Sequence, residues 1–273
     1  MKTRIGVVAP SCPIDDAVAE RVTARAEALY GAAVELAFHP QCFLSAGHFA
    51  GEDCAREAAF VEAANDPHLD AIWFARGGYG ACRVAEGAIA RLGEAARRKT
   101  YLGYSDAGTL LGGLYGRGIG TVAHGPMPVD IRRDGGEAAV DRALRWLVER
   151  DPASLEPGLD GERPAAAFNM TILSMLIGTP LQPDLSGHVL LLEDVGEYHY
   201  RIDRTLCHIT SNPGIRKVAG IRFGRVSDIT PNDRPFGHDA GEIAAHWCHV
   251  SGIRHLGGAD IGHDAANRVV PFG

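Results

Sequence analysis

The feature that most constrains this chain is its opening rhythm, in which short apolar runs alternate with stretches patterned as helices. Residues 5–9 read as a buried strand, and 13–31 follow with Val18, Val22, Ala26 and Leu29 on one helical face and Gly31 as the stop. Val34, Leu36 and Phe38 alternate as a second strand, and a polar loop over 39–51 leads to a helix carrying Cys54, Ala58 and Val61, which Asn65-Asp66-Pro67 ends. Residues 70–75, 100–104 and 119–123 are three more strands, separated by a helix starting near Ala81 and another over 106–115. The run at 70–75 is almost unbroken in its apolarity, as in strands covered on both faces. Alternation of this kind predicts a doubly wound, parallel α/β sheet.

Ligands of such sheets bind at the carboxyl ends of the strands. Four turns fall there: Pro10-Ser11, Gly77-Gly78, Ser105 and His124-Gly125. Ser105 lies where a strand turns within two residues into a helix, with Gly103 and Gly108 as small neighbours. Such a corner suits a nucleophile elbow, which lifts a hydroxyl clear of the sheet, with the N–H of Asp106 at a helix N-terminus as a candidate oxyanion donor. It equally suits an N-cap, and Gly-Tyr-Ser-Asp departs from the full G-x-S-x-G. The cluster Arg76-Gly77-Gly78-Tyr79-Gly80 permits positive φ and close approach of a ligand, or makes a tight turn; it matches neither G-x-G-x-x-G nor a P-loop.

Over 129–164 the composition turns polar, with one amphipathic helix bearing Val140, Ala143, Leu144, Leu147 and Val148. This predicts a nucleophile-bearing unit over 1–130, a bridge over 131–165 and a second α/β unit over 166–273. In the second unit a buried strand at 188–192 runs into Glu193-Asp194-Val195-Gly196-Glu197. Of the three carboxylates, Glu193 follows the strand directly and is the best fixed. A helix over 200–211, a strand over 218–223 and a helix over 241–250 complete it. His246 and His249 lie three apart on that last helix without H-E-x-x-H order, and read as surface or capping residues, not metal ligands. His263 lies in a glycine-bounded loop and supplies a base if that loop folds back over Ser105.

The 273 residues carry a net charge of −7 and no clustered Lys/Arg stripe, which argues against a nucleic-acid partner. No apolar run reaches membrane-spanning length, and the N-terminal one breaks at Pro10, so the reading is a cytoplasmic protein without membrane association. Six scattered cysteines without a C-x-x-C pair predict reduced thiols, no disulfide and no structural zinc.

Taken in order, Gly77-Gly78-Tyr79-Gly80, Gly103-Tyr104-Ser105-Asp106, His124-Gly125-Pro126, Leu192-Glu193-Asp194-Val195-Gly196-Glu197 followed by Tyr200-Arg201-Ile202-Asp203-Arg204, and Gly262-His263 with Asn267 and Pro271 resemble the LD-carboxypeptidases. These are serine peptidases that trim murein tetrapeptides, with microcin-immunity peptidases as a sister branch. The resemblance runs from Ile5 to Gly273. It implies a flavodoxin-like N-terminal domain, a smaller C-terminal α/β domain, a site in the groove between them and a homodimer. It further implies Ser105 as nucleophile, Glu193 as acid and His263 as base, with backbone oxyanion donors at Gly78 and Asp106 and no metal or organic cofactor. Family members normally run on for a further strand after the P-x-G of the tail, which bears on how the His263 loop is held. The expected substrate is a peptide with a free terminal carboxylate, released as a D-amino acid through an acyl-enzyme; the sister activity, on a peptidyl- or aminoacyl-nucleotide amide, is the alternative. Arg201 and Arg204 are candidate partners for that carboxylate or members of structural ion pairs. Asn169 is a candidate substrate contact or the cap of its helix.

Overall fold

The structure, a computed structural model, describes residues 2–159 and 161–273. β1 (Thr3–Val8), β2 (Val34–Phe38), β3 (Ala71–Phe74), β4 (Thr100–Gly103) and β5 (Thr121–His124) are parallel and lie in the order β2-β1-β3-β4-β5. This is the flavodoxin-like winding, whose switch point falls between β1 and β3. α1 (Asp16–Tyr30) is capped by Asp15, whose carboxylate accepts from the Val18 N–H, and it buries Val18, Val22 and Ala26 as the spacing predicts. α2 (Asp53–Asn65), α3 (Ala81–Ala90) and α4 (Gly108–Gly116) cover the opposite face.

The bridge is not a solvated connector. Its helix, α5 (Gly136–Glu149), lies beside α1 and buries Val140, Ala143, Leu144 and Leu147 in the core that holds Trp73, Leu102 and Ala123. Arg25 donates to both carboxylate oxygens of Asp141, at 2.9 and 2.5 Å, and fixes the two helices side by side. The segment reads as polar because most of its buried apolar residues lie on one face of a single helix.

The second sheet is wholly parallel: β6 (Ala165–Asn169), β7 (Val189–Val195), β8 (Gly220–Ser227) and β9 (His255–Gly258), in that order. α6 (Met170–Leu176), α7 (His199–Ser211) and α8 (Ala240–Ser251) accompany it, and none of the described helices is long and apolar enough to cross a membrane. α4 meets this unit through a glycine face. A Cβ on Gly108 would stand 3.4 Å from Ile172, on Gly112 2.9 Å from Leu176, and on Gly116 3.3 Å from Pro183. These positions are four apart and share one side of the helix. One apolar core therefore runs from Phe74 and Leu111 through Phe168 to Leu191 without a break.

The chain then crosses back. β10 (Val270–Pro271) leaves the second unit and pairs antiparallel with β5, Val270 opposite His124, and Phe272 N–H donates to the Val122 carbonyl at 2.9 Å. A two-residue strand containing proline carries no periodicity to read, and proline is tolerated here because the strand lies at an edge. The consequence is local to the site: this crossing carries the loop that bears His263 to the carboxyl edge of the first sheet.

Candidate active site

Ser105 adopts φ 57°, a left-handed conformation that a non-glycine residue holds at a cost of about 1–3 kcal/mol. β4 ends at Gly103, Tyr104 is extended, and a short 3-10 turn over Ser105–Ala107 feeds α4. The buried carboxylate of Asp106 holds the corner in place. It accepts from Ser11 Oγ at 2.5 Å and from the Ala81 N–H at 2.8 Å, so the loops after β1, β3 and β4 are tied at one point. Burial pushes the Asp106 carboxyl above its ordinary value, against the pull of those two hydrogen bonds.

The glycine turn after β3 packs directly on this corner. Gly78 has φ 108°, open to glycine alone, and a Cβ on Gly77 would fall 2.8 Å from both Cβ and Oγ of Ser105. Gly77→Ala is therefore expected to displace the serine, because its Cβ is backbone-fixed and cannot swing aside. A misplacement of this size costs a catalytic group about a hundredfold in turnover. Steady-state kinetics beside an unchanged circular dichroism spectrum checks the prediction; full activity would contradict it.

Glu193 sits inside β7, not after it, at a register irregularity between Leu192 and Asp194 in the pairing with β8. Such irregularities re-aim a side chain. Here the carboxylate is fully buried and its Oε2 accepts from His263 Nδ1 at 2.6 Å. A carboxylate only accepts, so Nδ1 carries the proton and Nε2 is the basic nitrogen. Among the described residues neither His263 Nε2 nor Glu193 Oε1 has a hydrogen-bond partner. Burial lowers the affinity of His263 for a proton, but the charge and hydrogen bond of Glu193 outweigh it and hold the imidazole above its ordinary value.

The ring of His263 rests against Tyr104 with centroids 4.8 Å apart, and Tyr104 donates to Asp130 Oδ1 at 2.8 Å. Arg133 Nε donates to the same oxygen at 2.7 Å. Behind Tyr104, buried His124 pairs through Nε2 with Asn267 Oδ1 at 3.1 Å, an oxygen that also accepts from the Gly262 N–H at 3.3 Å. Burial pushes His124 down to about 4, so it is neutral at physiological pH. Arg142, from α5, donates to the carbonyls of Ala265 and Asn267. The loop is thus gripped on both sides of His263.

Ser105 and His263 line one cavity of about 330 Å³, together with Gly77, Gly78, Tyr104 and the side chains of Arg76, Arg132 and Arg133. No hydrogen bond joins the hydroxyl to the imidazole among the described residues. A strained serine, a glycine turn against it and a carboxylate-oriented imidazole facing one hollow are the parts of an acyl-transfer site. Sequence models of the LD-carboxypeptidase N-terminal and C-terminal domains match residues 5–125 and 166–273. The chain belongs to the LD-carboxypeptidase family.

This LD-carboxypeptidase family member is 27% identical over 292 residues to the murein tetrapeptide carboxypeptidase of Pseudomonas aeruginosa, covering 99% of this chain and 91% of that protein. Its fold superposes on a muramoyltetrapeptide carboxypeptidase from Oxalobacter formigenes with a TM-score of 0.80 at 23% identity, covering 98% and 93% of the two chains. It superposes equally on the microcin C7 self-immunity protein in complex with aspartyl sulfamoyl adenosine, with a TM-score of 0.81 at 18% identity, covering 100% and 92%. These likenesses to solved structures establish the fold.

The other expected site residues of this family member lie elsewhere. Asn169 caps α6 by accepting from the Ile172 N–H at 3.1 Å, and donates to Asp194 Oδ1 at 2.7 Å. Burial pushes Asp194 up to about 6, with the Val195, Asn169 and Thr171 hydrogen bonds pulling the other way. Arg201 pairs with Glu197 at 3.6 Å and Arg204 stacks over Tyr200, and neither lines the cavity. The cations that do line it are Arg76, Arg132 and Arg133. Their signal was position: Arg76 directly precedes Gly77, and the Arg132-Arg133 pair follows the turn after β5 at the same sheet edge. His246 and His249 are exposed on α8, and no group of three metal-ligating side chains is assembled among the described residues.

Proposed function

We propose that this LD-carboxypeptidase family member is a serine carboxypeptidase that hydrolyses the bond between an L-configured centre and the terminal D-amino acid of a murein tetrapeptide. The observation that carries the reading is the 2.6 Å His263–Glu193 pair facing the same cavity as the positive-φ Ser105. The name of the Pseudomonas relative supports the choice of substrate.

In this reading Ser105 Oγ attacks the scissile carbonyl carbon while His263 Nε2 takes the hydroxyl proton. Glu193 holds the imidazole in the required tautomer and offsets its positive charge. The oxyanion faces the N–H groups of Gly78 and Asp106. The C–N bond then breaks, His263 returns the proton to the departing amine, and water hydrolyses the serine ester by the same steps. The contact between hydroxyl and imidazole tightens when substrate enters, as is usual for hydrolases whose empty sites are loose. No cofactor takes part, and a homodimer acting on recycled wall peptides in the cytoplasm completes the proposal.

The test is incubation with a murein tetrapeptide ending in D-alanine, followed by mass spectrometry, beside aspartyl sulfamoyl adenosine as the competing substrate. Release of free D-alanine supports the reading. Cleavage of the sulfamoyl amide alone would replace it with the sister activity, and cleavage of neither would remove it.

A further inference from the structure

We infer that Arg76 is the anchor for the terminal carboxylate of the substrate, an assignment that rests on the carboxypeptidase reading above. An exopeptidase must recognise the chain end, and in the leaving D-amino acid that carboxylate is attached to the same carbon as the scissile nitrogen. The cation that reads it must therefore stand within one residue's length of the nucleophile, on the order of 3.5 Å plus the reach of a side chain.

Three arginines line the cavity, and two are already committed. Arg133 is fixed to Asp130 Oδ1 at 2.7 Å, and that carboxylate also holds Tyr104 and the Met127 N–H. Arg132 is paired with Asp15, beside the start of α1. Arg76 differs from both. Its guanidinium makes one hydrogen bond, from Nη1 to the Pro13 carbonyl at 3.2 Å, and no ion pair among the described residues. It is half-buried, so a charge-assisted pair there is less screened than at the open surface. It is bonded directly to Gly77, the residue that touches Ser105. Of the five N–H donors that a guanidinium always carries, most are left for a planar anion.

The chain carries a net charge of −7, which disfavours an anionic peptide until a local positive group receives it. The same geometry separates the two substrate classes of the fold. A sulfamoyl nucleotide carries a tetrahedral sulfonyl group, not a planar carboxylate, next to its scissile nitrogen, so the bidentate fit of the Arg76 fork belongs to the peptide.

The experiment compares a tetrapeptide ending in D-alanine with the same peptide ending in D-alaninamide, in the wild type and in Arg76→Met and Arg76→Lys variants. Removing one member of a charge-assisted pair in a partly desolvated site costs about a hundredfold in kcat/KM. Arg76→Met should show that loss on the free acid, no loss on the amide, and partial recovery in Arg76→Lys. Binding to a Ser105→Ala background by calorimetry reads the same preference without turnover, with the acid favoured over the amide only when Arg76 is present. Equal losses on acid and amide, or an unchanged preference for the acid in Arg76→Met, would overturn the assignment while leaving the carboxypeptidase standing. A wild type that releases no D-alanine would overturn the functional reading and this assignment with it.

Discussion

Ser105→Ala is expected to lower kcat on the tetrapeptide by about a millionfold, the loss typical of removing the nucleophile from a hydrolase triad. The folded state should not suffer. Ser105 Oγ makes no hydrogen bond among the described residues, so truncation strands no partner, and alanine inherits the same φ of 57°. Ser105→Gly separates chemistry from strain more sharply. It should be as inactive as the alanine variant but more stable by about 1 kcal/mol, because glycine adopts a positive φ freely. Steady-state kinetics and thermal unfolding on the two variants measure both effects. Residual turnover within tenfold of wild type would end Ser105's claim to be the nucleophile, and a glycine variant less stable than the alanine one would remove the argument from strain.

Glu193→Gln should lower kcat/KM by about ten thousandfold, since an amide can present an N–H to Nδ1 and leave the imidazole in the wrong tautomer. It should also move the pH profile. In the proposed mechanism His263 acts as a free base, and its folded value lies above the ordinary 6.5 because Glu193 overcomes the effect of burial. In the wild type, kcat/KM should therefore rise with pH through an apparent value above 6.5. Without the carboxylate, burial and the Arg133 charge lower the value against the Asp130 charge, and the rising limb should shift to lower pH. The sign for stability is the reverse of that for activity. A raised histidine value stabilises the fold below 6.5, and this contribution fades as pH climbs through the folded value. Profiles measured from about pH 5 to 9 decide the matter; a limb at the same pH in both proteins would show that Glu193 does not govern His263.

Much of this was open to reading from residues alone, for a physical reason. β1 to β5 are buried runs between amphipathic helices, and burial on that scale imposes a pattern on neighbouring residues in the chain. The corner at Ser105 was legible because a strand passes into a helix there between small glycines, and the glycine cluster after β3 because positive φ, seen at Gly78 and Gly80, restricts which residues can stand there. What escaped was set by distant parts of the chain. The carboxylate of Asp106 ties Ser11 to Ala81 across three loops, although only its backbone N–H drew notice. Glu193 reads as the first residue beyond a strand, whereas pairing with β8 carries β7 on to Val195. Arg201 and Arg204 stand close to Glu193 in sequence, yet α7 keeps them out of the cavity, while Arg76 lines it from the other sheet. β10 has too few residues to show any rhythm.

The glycine side of α4 also governs how the two halves of the molecule can behave in solution. Where Gly108, Gly112 and Gly116 let Ile172, Leu176 and Pro183 come down onto the helix backbone, the second unit rests directly on α4, so any hinge between the helix that follows Ser105 and the unit that holds Glu193 would have to break this packing. Heating should therefore melt both sheets in one cooperative step, read as a single transition by circular dichroism and calorimetry.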